Sequence, residues 1–191
     1  MADKKQLEIL KQGVAVWNKW RKENPNVNVY LGKANLGGIN LNGVNFIEAN
    51  LQGANLSKVK LREANLKAAQ LSGARLIEAD CWNTNFEQSS LYKANLSGAL
   101  LLGANCWEAE LGEAILIGTV LAFANLSNAY FSGTNFTKGY LVGTIFGDND
   151  LSECIGLETV EHEGPSIIGT STIQMSKGKI PTIDLHKNRL R

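Results

Sequence analysis

A large apolar residue recurs at every fifth position from Leu31 to Leu151, giving 25 consecutive centres with no insertion or deletion. Eighteen are Leu, five are Phe (Phe46, Phe86, Phe131, Phe136, Phe146) and two are Cys (Cys81, Cys106). Two positions before each centre the residue is nearly always small, with Ala in fourteen cases. One position before, Asn occurs eleven times; two positions after, Gly occurs nine times. A repeat this regular is read before any single residue.

A period of five fits no straight element. In an α-helix five residues turn the chain by about 500°, so successive centres share no face. In a straight strand five is odd, so successive centres alternate between faces. A chain that turns a corner every five residues keeps all its centres inside. Each side is then a short extended stretch. The corners are expected near the Gly and Asn positions, which adopt turn dihedrals at little cost. The centre and the small residue two before it point inward, and the other three face solvent.

The motif Ala-Asn-Leu, as in Ala34-Asn35-Leu36, Ala54-Asn55-Leu56, Ala64-Asn65-Leu66, Ala94-Asn95-Leu96 and Ala124-Asn125-Leu126, resembles the pentapeptide repeat family. The resemblance covers residues 29–153, about two thirds of the chain. It implies a β fold, a right-handed quadrilateral β-helix (a β-solenoid) with four pentapeptides per coil. Twenty-five repeats then make about six coils and one extra side, a rod about 30 Å long at a coil spacing of about 4.8 Å. Tyr30, Leu100, Ile115, Val120, Tyr130, Tyr140 and Ile145 put apolar groups where the family usually has Asp or Asn.

Counting by twenty sorts the outward residues into four faces. The first, centred on Leu31 and Leu51, presents mostly Asn, Gln, Ser, Gly and charge. The second carries Asn35, Asn55, Arg75 and Asn95, then Ile115 and Ile117. The fourth carries Asn45, Asn65, Asn85, Asn105 and Asn125, one per coil, which are expected to bond along the rod. The third begins polar with Asn40, Asn42, Lys60, Arg62 and Asp80. It then turns apolar with Trp82, Leu100, Leu102, Val120, Ala122, Phe123, Tyr140 and Val142. A patch of that size is rarely left bare on a soluble monomer. Its cover is the C-terminal tail, a second copy of the chain, or a different protein.

Residues 1–28 are read as an N-terminal α-helical cap and turn, 29–153 as the solenoid and 154–191 as a C-terminal cap or connector tail. Leu7, Leu10, Val14 and Trp17, with Ile9, Val16 and Trp20 beside them, predict one amphipathic helix over residues 4–22. Gly13 weakens it, and Asn24-Pro25 stops it. Such a helix would block the open backbone of the first coil. Leu10-Lys11-Gln12-Gly13 and Trp17-Asn18-Lys19-Trp20-Arg21 resemble the leader that precedes such repeats in some bacterial members.

Composition narrows the function. Nineteen Lys and Arg against eighteen Asp and Glu leave a net charge of +1, without the basic excess a nucleic-acid binder needs. The chain shows neither a signal-peptide pattern nor about eighteen consecutive apolar residues, so a cytoplasmic location and no membrane partner are expected. Cys81, Cys106 and Cys154 are odd in number and widely spaced, as reduced thiols are. The histidines, His162 and His186, lie in the tail. Glu161-His162-Glu163 are adjacent and do not converge as a metal site does. Ser166 has no evident base, and Glu108, Glu110 and Glu113 read as a solvated patch. No catalytic residue, cofactor or metal is expected.

The reading is a non-enzymatic scaffold that binds another protein or itself. The family resemblance supplies an alternative, because some members mimic B-form DNA and bind type II topoisomerases such as gyrase. Residues 29–153 hold eleven acidic and eight basic side chains, a balance of −3 that is weak for such mimicry.

Overall fold

A computed structural model describes residues 2–177 of the chain. Parallel bridges join residues twenty apart, from Tyr30 with Asn50 to Asn135 with Ile155. Four pentapeptides therefore complete one circuit, and the backbone hydrogen bonds run along the stack. A centre donates its N–H to the next circuit, as Leu31 does to the Asn50 carbonyl at 2.7 Å. The residue before a centre donates backward, as Asn50 does to the Val29 carbonyl at 2.8 Å. All 25 centres are buried. The core is thus a column of Leu and Phe, closed around its sides by Ala.

The corners lie at the Gly positions, as expected, but not at the Asn positions. The two residues after each centre form the turn. The second of them is left-handed at every repeat from Lys33 to Asp148, with φ between 53° and 70°. Nine of these residues are Gly and fifteen are not. A left-handed L-residue costs about 1 kcal/mol or more. Here the turn is bonded across itself, Ala34 N–H to Leu31 carbonyl at 3.0 Å, and to the next circuit, Lys33 N–H to Gln52 carbonyl at 2.9 Å. The Asn before each centre sits in the bridge rather than in the corner. Its side chain closes the corner from outside: Asn45 Oδ1 accepts the Ile47 N–H at 3.1 Å, and Asn65 Oδ1 the Lys67 N–H at 3.1 Å. Along the fourth face Asn85, Asn105 and Asn125 also donate Nδ2 to the Asn below at 3.3–3.5 Å, the expected ladder.

Polar residues at the small inward positions are satisfied locally. Thr84, Thr119, Thr134 and Thr144 donate their hydroxyls to the carbonyls of Leu61, Leu96, Leu111 and Leu121. Cys81 and Cys106 are fully enclosed, and burial pushes both thiols up, Cys106 to about 12. Burial, reinforced by Asp150 and Glu153, likewise raises Cys154 to about 12. At pH 8 a thiol with that pKa holds about a thousandfold less thiolate than free cysteine. A disulfide reagent is therefore expected to find three thiols in denaturant and almost none in the folded chain. A fast-reacting native thiol would contradict the inward placement of the cysteine centres.

The N-terminal segment forms two helices instead of one: α1, Lys4–Lys11, and α2, Val14–Glu23. Gly13 breaks the run at φ 109°, a conformation that only glycine adopts readily. Leu10 and Trp17 are buried; Leu7, Ile9, Val14 and Trp20 are half-buried; Val16 points to solvent. Polar side chains stand in for an absent lower circuit. Gln6 accepts the Tyr30 N–H at 2.7 Å and donates to the Asn28 carbonyl at 2.8 Å. Asn18 accepts the Asn45 N–H and donates to the Gly43 carbonyl, both at 2.8 Å. Trp17 Nε1 donates to the Asn45 carbonyl at 2.8 Å, and its ring meets Phe46 edge-on.

Those bonds serve the first and fourth sides of the lowest circuit. On the second and third sides the N–H and C=O of Asn35 and Asn40 make no backbone bond. Ile39, expected inside, is 40% exposed between them.

At the far end the stack continues past the strict register. Strand β1, Tyr140–Leu141, pairs in parallel with β3, Glu161–His162, and β2, Ile145–Phe146, pairs with β4, Ile167–Ile168. The spacings are now 21 and 22 residues, so each added residue is absorbed in a looser corner. Helix α3, Thr170–Met175, follows. Asn149, buried at a small-residue position, donates Nδ2 to the Leu126 and Ala129 carbonyls and its N–H to Thr172 Oγ1.

Candidate interaction face

The outward residues of the third side stack as the count by twenty requires. Lys60, Asp80, Leu100, Val120 and Tyr140 bridge in succession, and Glu161 continues the column. Leu100 is 44% exposed, Trp82 42% and Phe123 63%. Leu102, Val120, Tyr140 and Val142 are half-buried. Ala122 is the exception, since it is buried and carries none of the surface. Phe123 occupies a left-handed corner, and its ring lies along the rod over Gly143. A Cβ added at Gly143 would sit 2.5 Å from that ring, so only glycine leaves room for it.

The apolar stretch is bordered by charge of opposite sign. At its lower end Arg62 donates to Asp80 Oδ2 at 2.6 Å and stacks 5.2 Å from the Trp82 ring centroid. Lys60, in the same circuit, is exposed and forms no ion pair among the described residues. At the upper end Tyr140 donates its hydroxyl to Glu163 at 2.7 Å, while Glu161 is exposed without an ion pair among the described residues. The lower end thus has a paired Arg62 and Asp80 beside an unpaired Lys60, and the upper end a bonded Glu163 beside an unpaired Glu161, among the described residues.

The sequence singles out Glu161 and Glu163 but does not place them on the third face, because the column resumes after 21 residues rather than twenty. The alternation of extended chain was the available signal, since Glu161 and Glu163 point out on either side of half-buried His162. Another aromatic pair was also missed. Tyr130 and Tyr92 both lie against Gly112 on the first face, which had been read as polar.

Of the tail, one of the three covers open for the third face, residues 154–168 pair with the end of the rod. Residues 178–191 lie outside the described residues.

The other candidate residues do not assemble into chemistry. Glu108, Glu110 and Glu113 each accept a bond from the circuit below, from Gln88, Ser90 and Tyr92. The Tyr92 hydroxyl, and then Lys93, hold the Glu113 carboxyl below the usual carboxylate range, the reverse of what a proton donor needs. Among the described residues no group of three His, Cys, Asp or Glu is placed to hold a metal ion. The surface is not wholly convex. A cleft of about 360 Å³ at the C-terminal end is lined by Tyr130, Asp148, Asp150, Glu153 and Met175 among others.

The pentapeptide repeat model matches in eight copies over residues 27–63, 69–105 and 99–137, together more than half of the chain. The chain belongs to the pentapeptide repeat family. Pentapeptide repeat proteins fold as right-handed quadrilateral β-helices, in agreement with the twenty-residue bridges, and are generally structural rather than enzymatic. Among solved structures, the chain is similar to the pentapeptide repeat protein Rfr23 of the cyanobacterium Cyanothece 51142. The two share 30% identity over 61% of this chain and 91% of that one, with a TM-score of 0.54. A pentapeptide repeat protein of the Arabidopsis thaliana thylakoid lumen matches at 28% identity over 56% of this chain and 68% of its own, with a TM-score of 0.43. The plasmid-mediated fluoroquinolone resistance protein QnrB1 matches at 16% identity over 74% of each chain, with a TM-score of 0.45. No curated protein matches the chain.

Proposed function

We propose that this pentapeptide repeat protein is a non-enzymatic scaffold whose third face binds another protein surface. The supporting observation is the stacked column from Trp82 to Val142, apolar at positions where most outward residues of the chain are polar. In this reading residues 29–153 form six coils and one extra side. Residues 1–28, with Leu7, Leu10, Val14 and Trp17 against the first coil, form a cap that prevents edge pairing. Residues 154–177 close the other end, as a C-terminal cap or as the start of a connector tail. The protein works in the cytoplasm, where three unpaired thiols are kept reduced, and needs no cofactor.

Leu100→Asp tests it. Leu100 is outward, so stability should change by no more than about 0.5 kcal/mol, while a charge in the middle of the face should abolish binding. A pull-down compared between wild type and variant, with matched thermal melts, reads this out. Undiminished capture by a folded Leu100→Asp protein would refute the third face as the binding surface.

A further inference from the structure

We infer that the partner seated on the third face is a second copy of this chain, running antiparallel to the first. The inference rests on the reading of that face as a binding surface, and adds the occupant and its orientation. The column read upward is Lys60, Asp80, Leu100, Val120, Tyr140, Glu161. A two-fold axis perpendicular to the rod, between the Leu100 and Val120 circuits, maps this order onto its reverse. Leu100 and Leu102 then meet the partner's Val120 and Phe123. Trp82 meets the partner's Val142. Lys60 meets the partner's Glu161, and by symmetry Glu161 meets the partner's Lys60.

The face is complementary to itself in this orientation and not in the parallel one. In a parallel pair Lys60 would face Lys60 and Glu161 would face Glu161, which costs rather than gains. Lys60 and Glu161 lie five circuits apart, about 24 Å at the usual strand spacing, and neither has an ion-pair partner among the described residues. Arg62 and Glu163, the charges beside them, are held by Asp80 and Tyr140. In the column itself, Lys60 and Glu161 are the charges without an ion pair among the described residues, and the axis brings them together. A closed two-fold contact of this kind uses one patch twice and leaves nothing to propagate. One side of a coil is narrow against the ~800 Å² per partner of a standard stable interface, so the dimer is a reversible one.

Sedimentation equilibrium of the full chain tests this, from about 10 μM to about 1 mM, the range in which a weak interface of this size assembles. The mass is expected to rise from one chain toward two. Lys60→Glu and Glu161→Lys should each weaken association about tenfold, because each sets like charges together twice per dimer. The double variant Lys60→Glu/Glu161→Lys should restore it. A double variant as weak as either single one would overturn the antiparallel pairing. A wild type that stays monomeric throughout would overturn the second copy. If that monomer captures a partner which Leu100→Asp loses, the binding face survives and only its occupant changes. If Leu100→Asp loses nothing, the face itself is wrong.

Discussion

Leu96→Asp is expected to abolish the cooperative fold across several circuits. Leu96 is fully buried, and its carbonyl accepts both the Ala99 N–H and the Thr119 hydroxyl. The substitution removes a leucine side chain, worth about 2–5 kcal/mol in a packed core. It also places a carboxylate where no cation or free donor can reach it, which adds several kcal/mol more. The sum rivals the whole stability of an ordinary domain, about 5–15 kcal/mol. In a stack where each circuit touches only its neighbours the damage begins locally, but Leu96 lies mid-rod and leaves two short fragments. Thermal melts of Leu96→Asp and Leu100→Asp, four residues apart, give the sharpest comparison. A large loss is expected for the first and almost none for the second. Equal losses would contradict the separation of inside from outside.

Trp17→Ala should have the next largest effect, and a different shape. Trp17 is fully buried, contacts Phe46 and Trp20, and gives the Asn45 carbonyl its only donor among the described residues. Its removal should cost about 3–5 kcal/mol. The loss falls on one end of a one-dimensional stack. The expected result is therefore a separate early transition in which α1, α2 and the first circuit detach, while the upper circuits keep the wild-type melting temperature. Limited proteolysis should cut near residues 12–28 well below the main transition. A single transition shifted as a whole would show that the ends and middle of the rod melt as one unit.

The body of the fold was legible because a single constraint repeats. Leu56, Leu76 and Leu96 announce one another across twenty residues, and every centre was correctly placed inside. The corners were legible at the Gly positions, but Asn was wrongly expected to share them because it tolerates turns in general. Here Asn45 and Asn65 serve the corner by accepting its amide instead of occupying it. The left-handed positions held by Glu48, Lys58 and Phe123 carry no sequence signal, because these residues are forced there by the circuits above and below. Exposure of Ile39 was equally hidden, since period alone cannot tell a first circuit from a middle one. The third face was readable from Trp82 to Val142. Its acidic border was not, because one extra residue before Glu161 breaks the count.

The separation of a five-residue corner from a twenty-residue circuit allows two kinds of growth by duplication. Copying one pentapeptide would leave every leucine inside yet swing all downstream surface by a quarter turn, severing a recognition stripe in a molecule that still folds. Copying four would lengthen the stripe without bending it. A lineage built this way can alter reach and aim independently, with the interior indifferent to both.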